Sequence, residues 1–294
     1  MRIVLHLGVH KTATTYIQDS LKRSIAKLDA HRIGYVPLEE MRKTVTPNIR
    51  RKTAELRSAV AGILARFQGY DTLILSDENI AGGVNDPLQH NALYPNSRGN
   101  LERLLENLGG HQIEVYIALR SYDSFLASMY SEVLRHHPFV TFYEYTATLS
   151  GDDVSWHPII QDLTKVVNPS QMILWDFADF RQIGDQIFDS MLGAPLAAEL
   201  DRPTGSVRDS LSAKAIAALT ALRHALSNEE IKLLVGPIGQ AFPKNSENLP
   251  YLPFPPKVVE RLQKQYAIDI ARIKADFPAI RFVTKAPVTS PSPA

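Results

Sequence analysis

The stretch that most constrains this chain lies at its very start. Ile3 to Leu7 form an apolar run, and Gly8-Val9-His10-Lys11-Thr12-Ala13-Thr14-Thr15 follows at once. The run predicts a buried strand, and Ile17, Leu21, Ile25 and Leu28 recur at helical spacing, predicting a helix from about Thr14 to Ala30. A strand, a tight turn and a helix in direct succession make an anion cradle. Backbone N–H groups at a helix start lack intrahelical partners, and the helix dipole concentrates positive charge there. Lys11 adds a point charge and the threonines add hydroxyl donors. Gly8, His10, Lys11, Thr12, Ala13, Thr14 and Thr15 are therefore candidate binding residues for a phosphate- or sulfate-bearing ligand.

Spacing narrows the kind of cradle. A Walker A loop places glycine directly before its lysine, whereas here His10 precedes Lys11. The dinucleotide fingerprint G-x-G-x-x-G is absent. The order G-x-H-K-T-x-T-T after a first strand resembles the 5′-phosphosulfate loop of the sulfotransferase family, whose donor is 3′-phosphoadenosine 5′-phosphosulfate (PAPS). The usual loop carries glycine where this chain carries Ala13.

Further along, apolar runs alternate with helical periodicities. Thr72–Ser76, Ile113–Leu119 and Met172–Trp175 read as buried strands. A helix is expected from Asn48 to Phe67, and another around Leu101–Leu108 stopped by Gly109-Gly110. A short Ile33–Pro37 segment follows the first helix. Such alternation implies α/β architecture: a P-loop-like three-layer sandwich, a mostly parallel sheet flanked by helices, with a mainly helical C-terminal part. One domain is expected over 1–285, with a disordered Pro/Ser-rich tail over 286–294. In such sheets ligands sit at the carboxyl ends of strands. The loop after the first strand, Asp77-Glu78 and Arg120-Ser121 all fall there.

The second constellation is Arg120 with the helix after it. Ser124, Ser128, Ser131 and Arg135 share one stripe. An arginine at a strand end and a serine two turns into the next helix can converge on one phosphate. The segment is similar to the 3′-phosphate-binding segment of sulfotransferases, which implies that role for Arg120 and Ser128. Arg208-Asp209-Ser210-Leu211-Ser212 resembles the Asn-x-Ser-x-Ser segment of bacterial carbohydrate-type members, with Arg208 in place of Asn. Ser210 and Ser212 also suit plain helix caps.

The resemblance implies sulfuryl transfer from PAPS to a hydroxyl of a carbohydrate or glycan-like acceptor, without a metal. Lys11 would stabilise the leaving phosphate. Ser76-Asp77-Glu78-Asn79 resembles the Ser-Ser-Glu-Asn segment of bacterial members and makes Glu78 the candidate base. Asp77 and His10 are its rivals. A P-loop kinase and a non-catalytic nucleotide binder are the competing classes. The formal charge of +1 gives no global argument for nucleic acid, and the absence of cysteine excludes disulfides, thiolate metal sites and thiol nucleophiles. Arg50-Arg51-Lys52 and Arg57 read as a solvated face. Phe139–Tyr145, rich in aromatics, reads as core packing or as an acceptor wall. No H-E-x-x-H motif is present, and no signal peptide or membrane-spanning run is visible, so a cytoplasmic location is expected.

Overall fold

Alternate residues of the first strand face two different apolar environments. In the computed structural model, which describes residues 1–51, 54–147, 149, 154–204 and 210–285, β1 (Arg2–His6) directs Ile3 and Leu5 into one core cluster and Val4 into another. A strand buried on both faces requires helices on both faces. The other strands are β2 (Ile33–Val36), β3 (Thr72–Ser76), β4 (Gln112–Leu119), β5 (Met172–Asp176) and β6 (Arg281–Val283). The alternation recurs in β3, where Leu73 and Leu75 oppose Ile74. It recurs in β4, where Val115, Ile117 and Leu119 oppose Tyr116 and Ala118. In β5, Met172 and Leu174 oppose Ile173 and Trp175. Each fully buried Leu or Ile contributes roughly 1.5–3 kcal/mol relative to exposure.

The strands form one sheet in the order β2-β3-β1-β4-β5-β6, and every pairing is parallel. Helices Thr14–Arg23, Ile25–Ala30 and Phe180–Leu192 cover one face through Ile17, Leu21, Leu28, Ile183 and Ile187. Helices that include Glu55–Arg66, Ser97–Asn107, Tyr122–His136, Trp156–Leu163 and Pro256–Asp276 cover the other. This is the α/β three-layer arrangement expected from the sequence, and the segment after Phe180 is mainly helical.

Four local features differ from what the sequence announced. The single helix expected from Thr14 to Ala30 breaks at Ser24, whose hydroxyl accepts from the Asp201 N–H at 2.8 Å instead of facing along a helix. The short segment at Ile33–Val36, given no type from the sequence, is an edge strand, because its backbone pairs with β3. The helix expected over 48–67 is two helices, Thr46–Arg51 and Glu55–Arg66, preceded by a π-helical turn at Met41–Val45; residues 52 and 53, Lys52 included, lie outside the described residues. The short strand β6 beside β5 was not foreseen. Arg208 and the expected tail over 286–294 also lie outside the described residues.

Phe139 and Tyr145 are fully buried, in keeping with core packing, while Tyr143 is exposed. Ser212 caps the helix Ala213–Ala221 by accepting from the Ala215 N–H at 3.1 Å. Arg50, Arg51 and Arg57 are exposed, as a solvated face requires.

Candidate active site

The parallel sheet delivers the ends of β1, β3, β4 and β5 to one rim, and a cleft of about 1000 Å³ opens there. His10, Lys11, Ala13, Thr14 and Thr15 line it from the first loop, Glu78 from beyond β3, and Arg120 and Ser128 from beyond β4. The candidates from three separate segments thus meet in one cavity. Gly8 and Thr12 do not line it.

The loop is held by its own residues. Gly8 has φ +52°, and a Cβ on it would lie 2.4 Å from the Thr14 methyl, so only glycine fits. Thr12 is fully buried, and its hydroxyl donates to the Val9 carbonyl at 2.6 Å, which makes it a brace of the turn. Lys11 and Ala13 both adopt left-handed backbone, with φ +65° and +62°. Ala13 therefore takes the conformation glycine would take, at a cost of about 1 kcal/mol or more. No side chain caps the helix Thr14–Arg23. Its first-turn N–H groups are left to face the cleft.

Lys11 is largely buried. Burial pushes its ammonium below the usual lysine range, and Glu132, with Oε2 3.5 Å from Nζ, works against that shift. Arg120 is more unusual. Its Nη1 donates to the Lys11 carbonyl at 2.5 Å, its Nε donates to Ser124 Oγ at 3.0 Å, and its guanidinium lies 4.8 Å over the Phe177 ring. It forms no ion pair with a described carboxylate. Burial lowers its pKa to about 10, with only Asp123 opposing from a distance. The Arg120 carbonyl is pinned in turn by the Trp156 indole, which donates at 2.8 Å. Ser128 faces the same cleft one helical stripe away.

The base candidates separate by their hydrogen bonds. Asp77 is fully buried and does not line the cleft. Its Oδ1 accepts from the Asn79 N–H and side chain and from Arg42, and its Oδ2 accepts from Thr46 at 2.7 Å. Burial, reinforced by Glu78, raises its pKa, and every lone pair facing a partner is committed to structure. His10 is also committed. Tyr94 Oη accepts from the His10 backbone N–H at 3.0 Å, so its own proton goes to His10 Nδ1 at 2.9 Å. Asn79 directs its amide nitrogen to Asp77, which leaves its oxygen to accept from His10 Nε2 at 3.2 Å. Burial holds the imidazole neutral, lowering its pKa. Both ring nitrogens are occupied, and His10 is a spacer between two loops.

Glu78 faces the cleft. Burial favours its neutral form, but the Arg42 guanidinium, its own backbone N–H and the Gln18 amide outweigh that and hold it below the usual carboxylate range. Arg42 Nη2 donates to Oε1 at 2.8 Å and Gln18 Nε2 to Oε2 at 3.1 Å.

The sequence did not single out Glu132, Arg42, Gln18, Tyr94, Arg202 or Lys244. Arg202 lines the cleft while donating to Asp185 at 2.9 Å and stacking 3.9 Å over Phe188. Lys244 reaches Ser210 at 3.5 Å. Glu132 had a readable signal: it stands four residues after Ser128, hence on the same helix face. In all, the lining holds Lys11, Arg120, Arg181, Arg202 and Lys244 against Glu78, Glu132 and Asp185, a net cationic cavity. Among the described residues no three His, Asp or Glu side chains gather as a metal site. No helix among them is long and apolar enough to cross a membrane.

No family model matches the chain and no curated protein does. A solved structure described as a sulfotransferase from Alicyclobacillus acidocaldarius is similar over 94% of this chain and 95% of that one, with 13% identity and a TM-score of 0.48. A likeness of that strength carries no reading of chemistry, and the cleft's own residues must supply it.

Proposed function

We propose that the cleft binds PAPS and that the protein is a sulfotransferase acting on an acceptor hydroxyl. The observation that carries this reading is Arg120: a partly buried guanidinium on the cleft wall, without a described carboxylate partner, fixed to the carbonyl of Lys11. Leaving a buried charge uncompensated costs several kcal/mol, so such a group calls for an anionic ligand. Its attachment to Lys11 sets two anion-binding points at a fixed separation, as a nucleotide with two separate phosphate groups requires. The residue pattern that resembles the family's loop and 3′-phosphate segment points the same way.

The residues fit that donor. The Lys11 ammonium and the first-turn N–H groups of Thr14 and Thr15 would hold the 5′ end, with Arg120 and Ser128 on the 3′-phosphate. When bound, the donor supplies an activated sulfuryl group for in-line displacement, akin to phosphoryl transfer. Lys11 stabilises negative charge that grows on the leaving phosphate oxygen. Glu78, ionised at neutral pH and facing the cleft, takes the proton of the attacking hydroxyl at a carboxylate oxygen. Arg42 and Gln18 fix its orientation, and His10 fixes the spacing between the first loop and the Glu78 segment. A carbohydrate-like hydroxyl is the acceptor class the sequence resemblance implies.

The test is calorimetric titration with 3′-phosphoadenosine 5′-phosphate against ATP. The bisphosphate nucleotide is expected to bind more tightly, without magnesium. Arg120→Ala should weaken it roughly tenfold to a hundredfold and leave adenosine 5′-phosphate binding almost unchanged. Preference for magnesium–ATP would favour a kinase and overturn the reading.

A further inference from the structure

Glu132 lies on the same wall of the cleft as Ser128, one turn further along the helix Tyr122–His136. Its carboxylate is buried. Oε2 is 3.5 Å from Lys11 Nζ and 3.1 Å from Arg135 Nη1, and Oε1 is 3.1 Å from His136 Nε2. The proposed chemistry gives Glu132 no role, yet it engages the lysine that the chemistry depends on.

We propose that Glu132 is an internal surrogate for the ligand's anion, a carboxylate that occupies Lys11 while the cleft is empty and competes with the incoming phosphate. The inference rests on the reading of Lys11 as the anion-binding lysine. Two physical requirements meet in this pair. Lys11 is desolvated, and without a nearby negative charge its proton would be held weakly. Glu132 supplies that charge in the free protein. A phosphate or sulfate that approaches Lys11 replaces it as counter-ion and sets its own charge beside the Glu132 carboxylate. Like charges a few ångström apart at a partly buried site repel by an amount that moves an affinity about tenfold or more. That repulsion is relieved when the carboxylate takes a proton from solvent, so ligand binding draws in a proton at Glu132.

The charges facing Glu132 come from several elements. Lys11 and His10 face it from the first loop, and Arg135 and His136 from its own helix. Arg120 stands at the end of β4, and Lys244 lines the same cleft. His136 bonds the same carboxylate, so the decisive variant removes the carboxylate charge and leaves His136 in place. Glu132→Gln preserves size and one accepting oxygen while removing the charge.

Binding of 3′-phosphoadenosine 5′-phosphate is measured by calorimetry between pH 6 and 9, in buffers of different ionisation enthalpy, for the wild type, Glu132→Gln and His136→Gln. The wild type and His136→Gln are expected to take up protons on binding, and Glu132→Gln to take up fewer and to bind about tenfold more tightly at pH 7. Glu132→Asp, which keeps the charge and withdraws it by one methylene, is expected to fall between them and serves if the glutamine variant does not fold. Equal proton uptake and affinity in wild type and Glu132→Gln would overturn the proposal, as would transfer of the effect to His136→Gln. Inorganic pyrophosphate run in parallel separates the two readings. If pyrophosphate shows the Glu132-dependent uptake and the bisphosphate nucleotide does not bind, the donor assignment fails and the surrogate role stands. If neither anion shows it, the surrogate role fails.

Discussion

Gly8 and His6 show how single residues set the loop. Gly8 sits at positive φ against the Thr14 methyl, and any Cβ there collides at 2.4 Å. Gly8→Ala should lower stability by about 2–3 kcal/mol in urea denaturation. Gly109→Ala, where nothing lies within 4 Å of the added methyl, should change it by less than about 1 kcal/mol. His6 lies beneath the loop, fully buried, with Nδ1 2.8 Å from Ser76 Oγ and its pKa lowered to about 4 by burial. The folded protein binds this proton less readily than the unfolded chain, whose histidine titrates near 6.5. Stability from His6 is complete above pH 6.5 and falls as pH drops from 6.5 towards 4, by about 3 kcal/mol in all. Denaturation midpoints at pH 7.5, 6 and 5 should follow that decline, and His6→Gln should flatten it. At this scale the sequence revealed much of the site. Lys11, Arg120 and Ser128 were readable because short local patterns carry them. The commitments of Asp77 and His10 were not, since Thr46, Tyr94 and Arg42 reach them through the fold. Glu132 was readable as a residue on the Ser128 face, but its ion pair with Lys11 was not, since Lys11 arrives from a distant segment.

Among the elements, the helix Pro256–Asp276 does more for the cleft than its distance in sequence implies. Asp269 is buried in it and accepts from the Tyr122 hydroxyl, from Ser155 Oγ at 2.6 Å and from the Trp156 N–H at 3.0 Å. Trp156 then holds the Arg120 carbonyl. The helix Pro256–Asp276 thereby fixes the backbone that presents Arg120 to the cleft. Asp269→Ala would leave these buried donors unmatched and should destabilise by about 3 kcal/mol. Asp269→Asn should cost less, and both should weaken nucleotide binding through misplacement of Arg120, seen as a loss of affinity in calorimetry. Elements announced by long apolar periodicity were legible, as with the helix Ser97–Asn107 and β4. The strands β2 and β6 were not, because four and three residues carry too little pattern, and their identity comes from pairing with β3 and β5. The break at Ser24 comes likewise from a partner, Asp201, that only the folded chain brings near.

For the whole molecule, the parallel sheet places each strand's carboxyl end on the rim that carries the cleft, and the opposite rim carries bracing. There Arg2 bonds Glu114 at 2.8 Å and the Met191 carbonyl at 2.9 Å, while Tyr116 reaches Ser190. A ligand held at the cleft as proposed would bridge β1 and β4, neighbours at the centre of the sheet, and its binding energy would be felt globally. At a hundred times its dissociation constant, 3′-phosphoadenosine 5′-phosphate should stabilise the fold by about 2.7 kcal/mol, a rise of several degrees in melting temperature. Arg120→Ala should lose most of that rise at the same concentration. The chain also carries its own optical probes. It has two tryptophans; Trp156 holds the Arg120 carbonyl, and Trp175 stacks with His6 at 6.1 Å under the loop. Intrinsic fluorescence should therefore report on the cleft without a label: Trp156 follows ligand at Arg120, and Trp175 is quenched as the His6 imidazole gains its proton in acid. A Trp156→Phe variant separates the two emissions, so occupancy and titration become readable in one cuvette.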